Sequence, residues 1–170
     1  MDKLHSGHVE VLVARLLGYR KNTIVPNVSW GLGLNHECDL LVLDGQDRFT
    51  EIEIKISQAD FRADFKKGHS HRHRYISRLV YAMPLEIIEK NLDRFPPGVG
   101  IIAITGTNNM VSNPYPKIIR YAQWYRQVKH KKGIAVPPDV IRKFMELGCM
   151  RIWSLKEHNN RKRSLKPNSK

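Results

Sequence analysis

The chain has 170 residues, with 29 lysines and arginines against 16 aspartates and glutamates, a formal net charge of +13. That length suits one domain able to bury a core without disulfides or metal staples, and the charge makes nucleic acid the default partner, ahead of an anionic membrane. No apolar run approaches spanning length and no long basic amphipathic helix stands out, while Cys38 and Cys149, far apart and outside any CxxC pair, argue for a reducing compartment and against a zinc module.

MDKLHSGHVE begins with mixed charge and lacks the apolar core of a signal peptide, so a cytoplasmic protein is expected. From His5 to Gly18, Val9, Leu12, Val13, Leu16 and Leu17 recur at helical spacing, with Ser6 placed to cap and Gly18 to stop the helix. Glu10 sits on the edge of this stripe, where the helix dipole favours an early glutamate. Thr23 to Ser29 reads as a short strand near a sheet edge, because Pro26 has no ladder hydrogen bond to give. Trp30 to His36 is a connector whose glycines form no nucleotide-binding pattern.

Two apolar runs follow, Cys38 to Leu43 and Phe49 to Ile56, flanking the polar break Asp44-Gly45-Gln46-Asp47-Arg48, which is the pattern of a β-hairpin. Thr50, Ile52, Ile54 and Ile56 alternate with Phe49, Glu51, Glu53 and Lys55, so one face is apolar and the other charged. Register decides whether the charges converge. A loop of three or five residues sets Asp39 opposite Glu53 and Glu37 opposite Lys55; a loop of two or four separates them. In the first case paired carboxylates with a lysine two residues on make a hard oxygen site for a divalent cation, Mg²⁺ foremost and Mn²⁺ as a substitute. The plain alternative is a solvated ladder of Glu51, Glu53 and Lys55, with Glu51 as the impostor if the register is off.

After Lys55, Ser57 and Asp60 form an S-x-x-D cap, Ile56 is placed to staple onto Phe61, and Phe61 and Phe65 anchor a helix closed by Lys66, Lys67 and Gly68. Asp60 therefore has a structural job. Gln58 is either an ordinary first-turn residue or one within reach of a phosphate or water near Lys55. His69, His71 and His73 invite a Zn²⁺ or Ni²⁺ reading, but their spacing on a loop fixes no tetrahedral geometry. With Lys66, Lys67, Arg72, Arg74 and Arg78 around them, the loop reads better as a DNA-backbone contact, or more plainly as a solvated loop.

Ser77 to Met83 is a buried strand ended by Pro84. Leu85 to Phe95 is helical until Pro96-Pro97-Gly98, and Val99 to Thr105 is another buried strand. The order helix, three strands, helix, strand, helix, strand calls for a mixed sheet with helices on both faces. Lys117 to His130 interleaves aromatics and bases, suited to core packing or to stacking on bases. Lys129, Lys131 and Lys132 make a small phosphate-suited cluster. Pro137-Pro138-Asp139 opens a last helix through Leu147, stopped at Gly148, with Arg151 to Leu155 packing back. One domain over residues 1–157 and a disordered basic tail over 158–170 are expected. No Gly-x-Ser-x-Gly turn supports a serine nucleophile.

Asp39 followed on the next strand by Glu53-Ile54-Lys55 resembles the PD-(D/E)XK nuclease superfamily, with Cys38 where a proline often stands. Ser57, Asp60-Phe61, Asp64-Phe65-Lys66, Tyr81-Ala82-Met83-Pro84 and, more weakly, Arg151-Ile152-Trp153 narrow the resemblance to the MmcB-like DNA-repair group, best over Ser6 to Thr105. The resemblance implies an α/β fold, a restriction-endonuclease-like α/β/α sandwich with a mixed central sheet. It implies a metal-dependent nuclease acting on DNA in repair or processing, with Mg²⁺ (or Mn²⁺) on Asp39, Glu53 and the backbone carbonyl of Ile54. Lys55, its charged form favoured by the carboxylates, would neutralise the scissile phosphate rather than act as a free base. Glu10 gains a second reading, leaning over the site to hold a second ion or a metal-bound water. DNA is the expected partner, without a membrane or small-molecule cofactor, and a homodimer stays open. The alternative is a non-catalytic or partner-dependent DNA-binding protein on the same fold.

Overall fold

A computed structural model describes residues 4–64, 73–109, 117–132 and 134–164. In chain order its elements are α1 (Ser6–Leu16), β1 (Thr23–Val28), β2 (Cys38–Leu43), β3 (Phe49–Ile54), α2 (Gln58–Asp64), β4 (Ile76–Pro84), α3 (Leu85–Glu89), a 3-10 turn (Leu92–Arg94), β5 (Gly100–Asn109), β6 (Lys117–Arg126) and α4 (Pro138–Ser164). The six strands form one sheet in sequence order. β2 pairs antiparallel with both β1 and β3, β3, β4 and β5 run parallel, and β6 returns antiparallel. β1 is an edge strand, as Pro26 requires.

The hairpin settles the register question. Leu40 pairs with Ile52 and Leu43 with Phe49, the register of an odd loop; the paired ladder ends at Leu40, and Asp39 next to it turns its carboxylate onto the Ile54 N–H. The connection is the five residues Asp44 to Arg48. The Asp44 N–H donates to the Arg48 carbonyl at 3.1 Å, and Asp47 takes the left-handed conformation at φ 54°. The Asp44 carboxylate accepts from the Gln46 and Arg48 N–H groups and from the Arg48 guanidinium, which fixes the loop length and with it the face of every β3 side chain.

Alternation along the strands divides the core. Leu40, Val42, Ile52, Ile54, Val80, Ala82, Ile102 and Ile104 pack on one face against Val9 and Val13 of α1. On the other face Leu41, Leu43 and Phe49 pack beneath Phe144 and Leu147 of α4, while Tyr81, Met83, Ile101 and Ala103 pack beneath Phe61 of α2 and Ile88 of α3. The result is the expected α/β/α sandwich on a mixed sheet. No helix among the described residues is long and apolar enough to cross a membrane.

Local expectations are refined: Ser6 lies inside α1, whose N-cap is His5 with no side-chain cap bond, and the helix expected from Leu85 to Phe95 is α3 to Glu89 followed by the 3-10 turn. Ile56 packs with the α1-side cluster and Phe61 with the opposite one, so they form no staple; α2 is capped by the Ser57 hydroxyl, which accepts the Asp60 N–H at 3.1 Å. Lys117 to Arg126 is an edge strand whose even residues Ala122 and Trp124 face the α1 cluster, leaving Tyr121 and Tyr125 exposed. Gly148 does not stop the last helix: α4 runs through it to Ser164, into the stretch read as a disordered tail, while residues 165–170 lie outside the described part. A Cβ at Gly148 would lie 3.1 Å from a Val25 methyl, so this glycine serves close helix-to-sheet approach. Gly148→Leu should therefore lose about 1–3 kcal/mol by overpacking, read as a lower urea midpoint.

Candidate functional site

The charged face of β3 is buried. Glu51, Glu53 and Lys55 are 0%, 4% and 3% exposed, which removes the solvated-ladder alternative. These side chains share the sheet face on which the α4 cluster and the α2/α3 cluster lie. The Lys55 ammonium donates to Glu53 Oε2 at 2.9 Å and pairs with Asp64 Oδ1 at 2.9 Å. Tyr81, in register with Glu53 across the parallel β3–β4 pair, donates its hydroxyl to Asp64 Oδ2 at 3.0 Å. Burial alone would discharge Lys55, but Glu53 and Asp64 outweigh it and hold the ammonium above its usual range. Burial and the Asp64 carboxylate push the Tyr81 phenol up, so it remains a neutral donor.

Asp39 meets this array at the mouth of the hairpin. Its Oδ2 accepts the Ile54 N–H at 2.6 Å, bringing the aspartate onto the backbone between Glu53 and Lys55. Glu10, half-buried on α1, has its carboxyl raised by burial and by the Asp39 charge, so the first helix brings an acid within electrostatic reach of Asp39. Glu37 is exposed and precedes β2, and Lys55 turns to Glu53 and Asp64 instead of the expected Glu37 partner. Glu51, on the same face, has a different partner: its Oε1 lies 2.5 Å from His36 Nε2.

The expected DNA contacts separate into groups. Lys66, Lys67 and Arg72 lie outside the described residues. Gln58 opens α2, half-buried, with its amide 3.5 Å from Asn91 Oδ1. Arg74 is exposed over the Tyr75 ring at 4.6 Å. Arg78 is half-buried, donating to Thr50 Oγ1 at 3.1 Å and lying 5.6 Å over Trp124. Lys129, Lys131 and Lys132 are exposed, and the Lys131 N–H donates to the Ser77 carbonyl. This places them at the Phe49 end of the sheet, four residues or about 13 Å along β3 from Glu53.

That lysine segment is pinned by His130, whose Nδ1 lies 2.5 Å from Ser77 Oγ while the Ser77 hydroxyl donates to the Phe49 carbonyl at 2.9 Å. The hydroxyl therefore accepts from a neutral Nδ1–H imidazole. Burial, Arg78 and Arg48 lower the His130 pKa to about 4, against the opposing pull of Asp44. Unfolded His130 protonates near pH 6.5 and folded His130 resists, so its contribution holds above about pH 6.5 and is lost towards pH 4. Thermal melts should show stability falling over that window, with a shallower fall in His130→Gln.

Sequence reasoning passed over Asp64 and Tyr81 as site residues. Asp64 lies three residues after Phe61, on the helix side that faces the sheet, and Tyr81 alternates with Leu79 and Met83 on β4. Those periodicities were the available signal. His36 had no local signal, since its partner Glu51 is 15 positions away.

Comparison with known proteins bears on the family and the fold. The family described as "DNA repair protein MmcB-like" matches residues 6–158. No curated protein matches the chain. Among solved structures, the chain is similar to the SPO1766 protein of unknown function from Silicibacter pomeroyi, at 19% identity and a TM-score of 0.60 over 100% of each chain, a likeness of fold. Matched over nearly its whole length, and as its hairpin and helix residues led one to expect, the chain belongs to the MmcB-like DNA repair protein family.

Proposed function

We propose that this protein hydrolyses DNA phosphodiester bonds with a divalent metal ion held at the mouth of the β2–β3 hairpin. The observation that carries the reading is the buried Glu53–Lys55–Asp64 array on a central strand, with Asp39 bonded to the backbone between Glu53 and Lys55. Burying charges costs several kcal/mol per ion, and a hairpin of this kind packs more simply with apolar residues there. The donor set fits Mg²⁺ or Mn²⁺: Asp39, Glu53 and the Ile54 carbonyl are hard oxygens, and the Glu10 carboxyl, raised by burial and by the Asp39 charge, lies within electrostatic reach of Asp39.

When bound, such an ion lowers the pKa of a water and polarises the phosphoryl oxygen. The chain's own residues do the rest. Lys55, fixed in its charged form by Glu53 and Asp64, places one positive charge at the hairpin mouth, where charge builds on the phosphate in the transition state. Asp64 holds Lys55, and Tyr81 holds Asp64, so both are positioning residues. Glu10, with its raised affinity for a proton, is suited to accept one from the attacking water. The water's oxygen bonds to phosphorus, the bridging P–O bond breaks, and a proton ends on the leaving oxygen. Exposed Arg74, Lys129, Lys131 and Lys132 supply backbone contacts, and Gln58 lies one turn from Lys55.

The test is incubation with end-labelled single-stranded, duplex and branched DNA in Mg²⁺ or Mn²⁺. Products that require the metal support the reading and identify the substrate. Lys55 is already clamped between two carboxylates, which favours as a second reading a protein that binds DNA without cutting it; bound DNA with no product on any substrate would select that one.

A further inference from the structure

A second cluster lies beside the hairpin array and is used by none of the chemistry above. His36 Nε2 is 2.5 Å from Glu51 Oε1 and 3.8 Å from Cys38 Sγ, and all three donor atoms lie within 4.8 Å of one another. Cys38 and Glu51 are fully buried, and the His36 side chain is 3% exposed. His36 lies just before β2 and Cys38 begins it, while Glu51 comes from β3, so the trio joins the loop before β2 to the neighbouring strand.

We propose that His36, Cys38 and Glu51 bind a tetrahedral transition-metal ion of the zinc class, separate from the hard-oxygen position at Asp39 and Glu53. Imidazole nitrogen, thiolate sulfur and carboxylate oxygen together suit Zn²⁺ or Co²⁺ and do not suit Mg²⁺. The outer contacts agree. His36 Nδ1 lies 2.8 Å from Asn35 Oδ1, so Nδ1–H donating there turns the Nε2 lone pair towards Glu51 and Cys38. A lone pair facing a carboxylate oxygen at 2.5 Å needs a proton or a cation between them.

Burial and the Glu51, Glu53 and Asp39 charges push the Cys38 thiol up, so metal binding would displace a proton from sulfur. The His73 imidazole lies beside Gly33 and within electrostatic reach of His36 and Glu51. Zinc at Cys38 would run against the expectation that the two cysteines argue against a zinc module. Of the three loop histidines His73 alone is among the described residues; His69 and His71 lie outside them. Bound metal would tie the loop before β2 to the central strand.

The test loads the full chain with Co²⁺ and, separately, with Zn²⁺ followed by dialysis and elemental analysis. The expected results are about one zinc per chain and a cobalt spectrum with an intense thiolate-to-metal charge-transfer band. A large excess of Mg²⁺ should leave both unchanged, and Cys38→Ser should remove the band and weaken zinc binding by more than about 100-fold. Folded wild type, verified by circular dichroism, that shows no charge-transfer band would overturn the proposal even if the variants fail to fold. Zinc retention unaffected by Cys38→Ser, or displacement of the metal by Mg²⁺, would overturn it as well.

Discussion

Asp39→Asn is expected to slow Mg²⁺-dependent DNA cleavage by about 10²–10³-fold or more, with fold and DNA affinity retained. An asparagine carbonyl keeps the acceptor that receives the Ile54 N–H, so the hairpin mouth stays closed in the same way. What disappears is one of the negative charges that would hold the ion. Its loss also relieves Glu10, whose carboxyl is raised in part by Asp39, so the variant should melt at or slightly above the wild-type temperature. Single-turnover rates, a melt and a filter-binding isotherm on the same preparation separate these effects. A variant that cuts at the wild-type rate would remove Asp39 from the chemistry.

Lys55→Ala should lose cleavage and stability together. Removing the ammonium leaves Glu53 and Asp64 buried without the cation each contacts at 2.9 Å, and breaking such a buried pair costs about 3–5 kcal/mol. In a domain of this size that lowers the melting temperature by about 10 °C. The sign of the pH effect follows from the raised Lys55 pKa. Its contribution is complete below the ordinary lysine value and is lost only as pH rises through the higher folded value, so the deficit of Lys55→Ala should be full at neutral pH and shrink in strong alkali. Asp64→Asn should cost less, because Lys55 keeps Glu53 and Tyr81 keeps an acceptor. Urea titrations of the two variants at neutral pH check the order.

The hairpin could be read from sequence because its information is local. Period-2 alternation sets the face of Glu51, Glu53 and Lys55, and an odd loop aligns Asp39 with Glu53. Once Asp44 folds its carboxylate over Gln46 and Arg48, that register is fixed within a few residues. The apolar runs of β4 and β5 were equally local, and with the helices between them they pointed to the sandwich. The missed parts depend on contacts between distant segments. Tyr81 reaches Asp64 only because β4 lies parallel to β3 in a register set by packing, and His36 reaches Glu51 across two strands. Gly148 misled because the sequence shows a helix breaker while the fold shows Val25 against it. A helix of 27 residues can absorb the roughly 1 kcal/mol propensity cost of one glycine when the close approach packs well.

The most direct test of the account is a single-turnover experiment in which DNA is saturated with protein, Mg²⁺ is added or withheld with chelator, and bound fraction and product are read from the same samples. The account predicts product from the wild type only when Mg²⁺ or Mn²⁺ is present, and none above background from Asp39→Asn despite equal binding. Wild-type protein that binds the DNA fully and yields no product with either metal would contradict it.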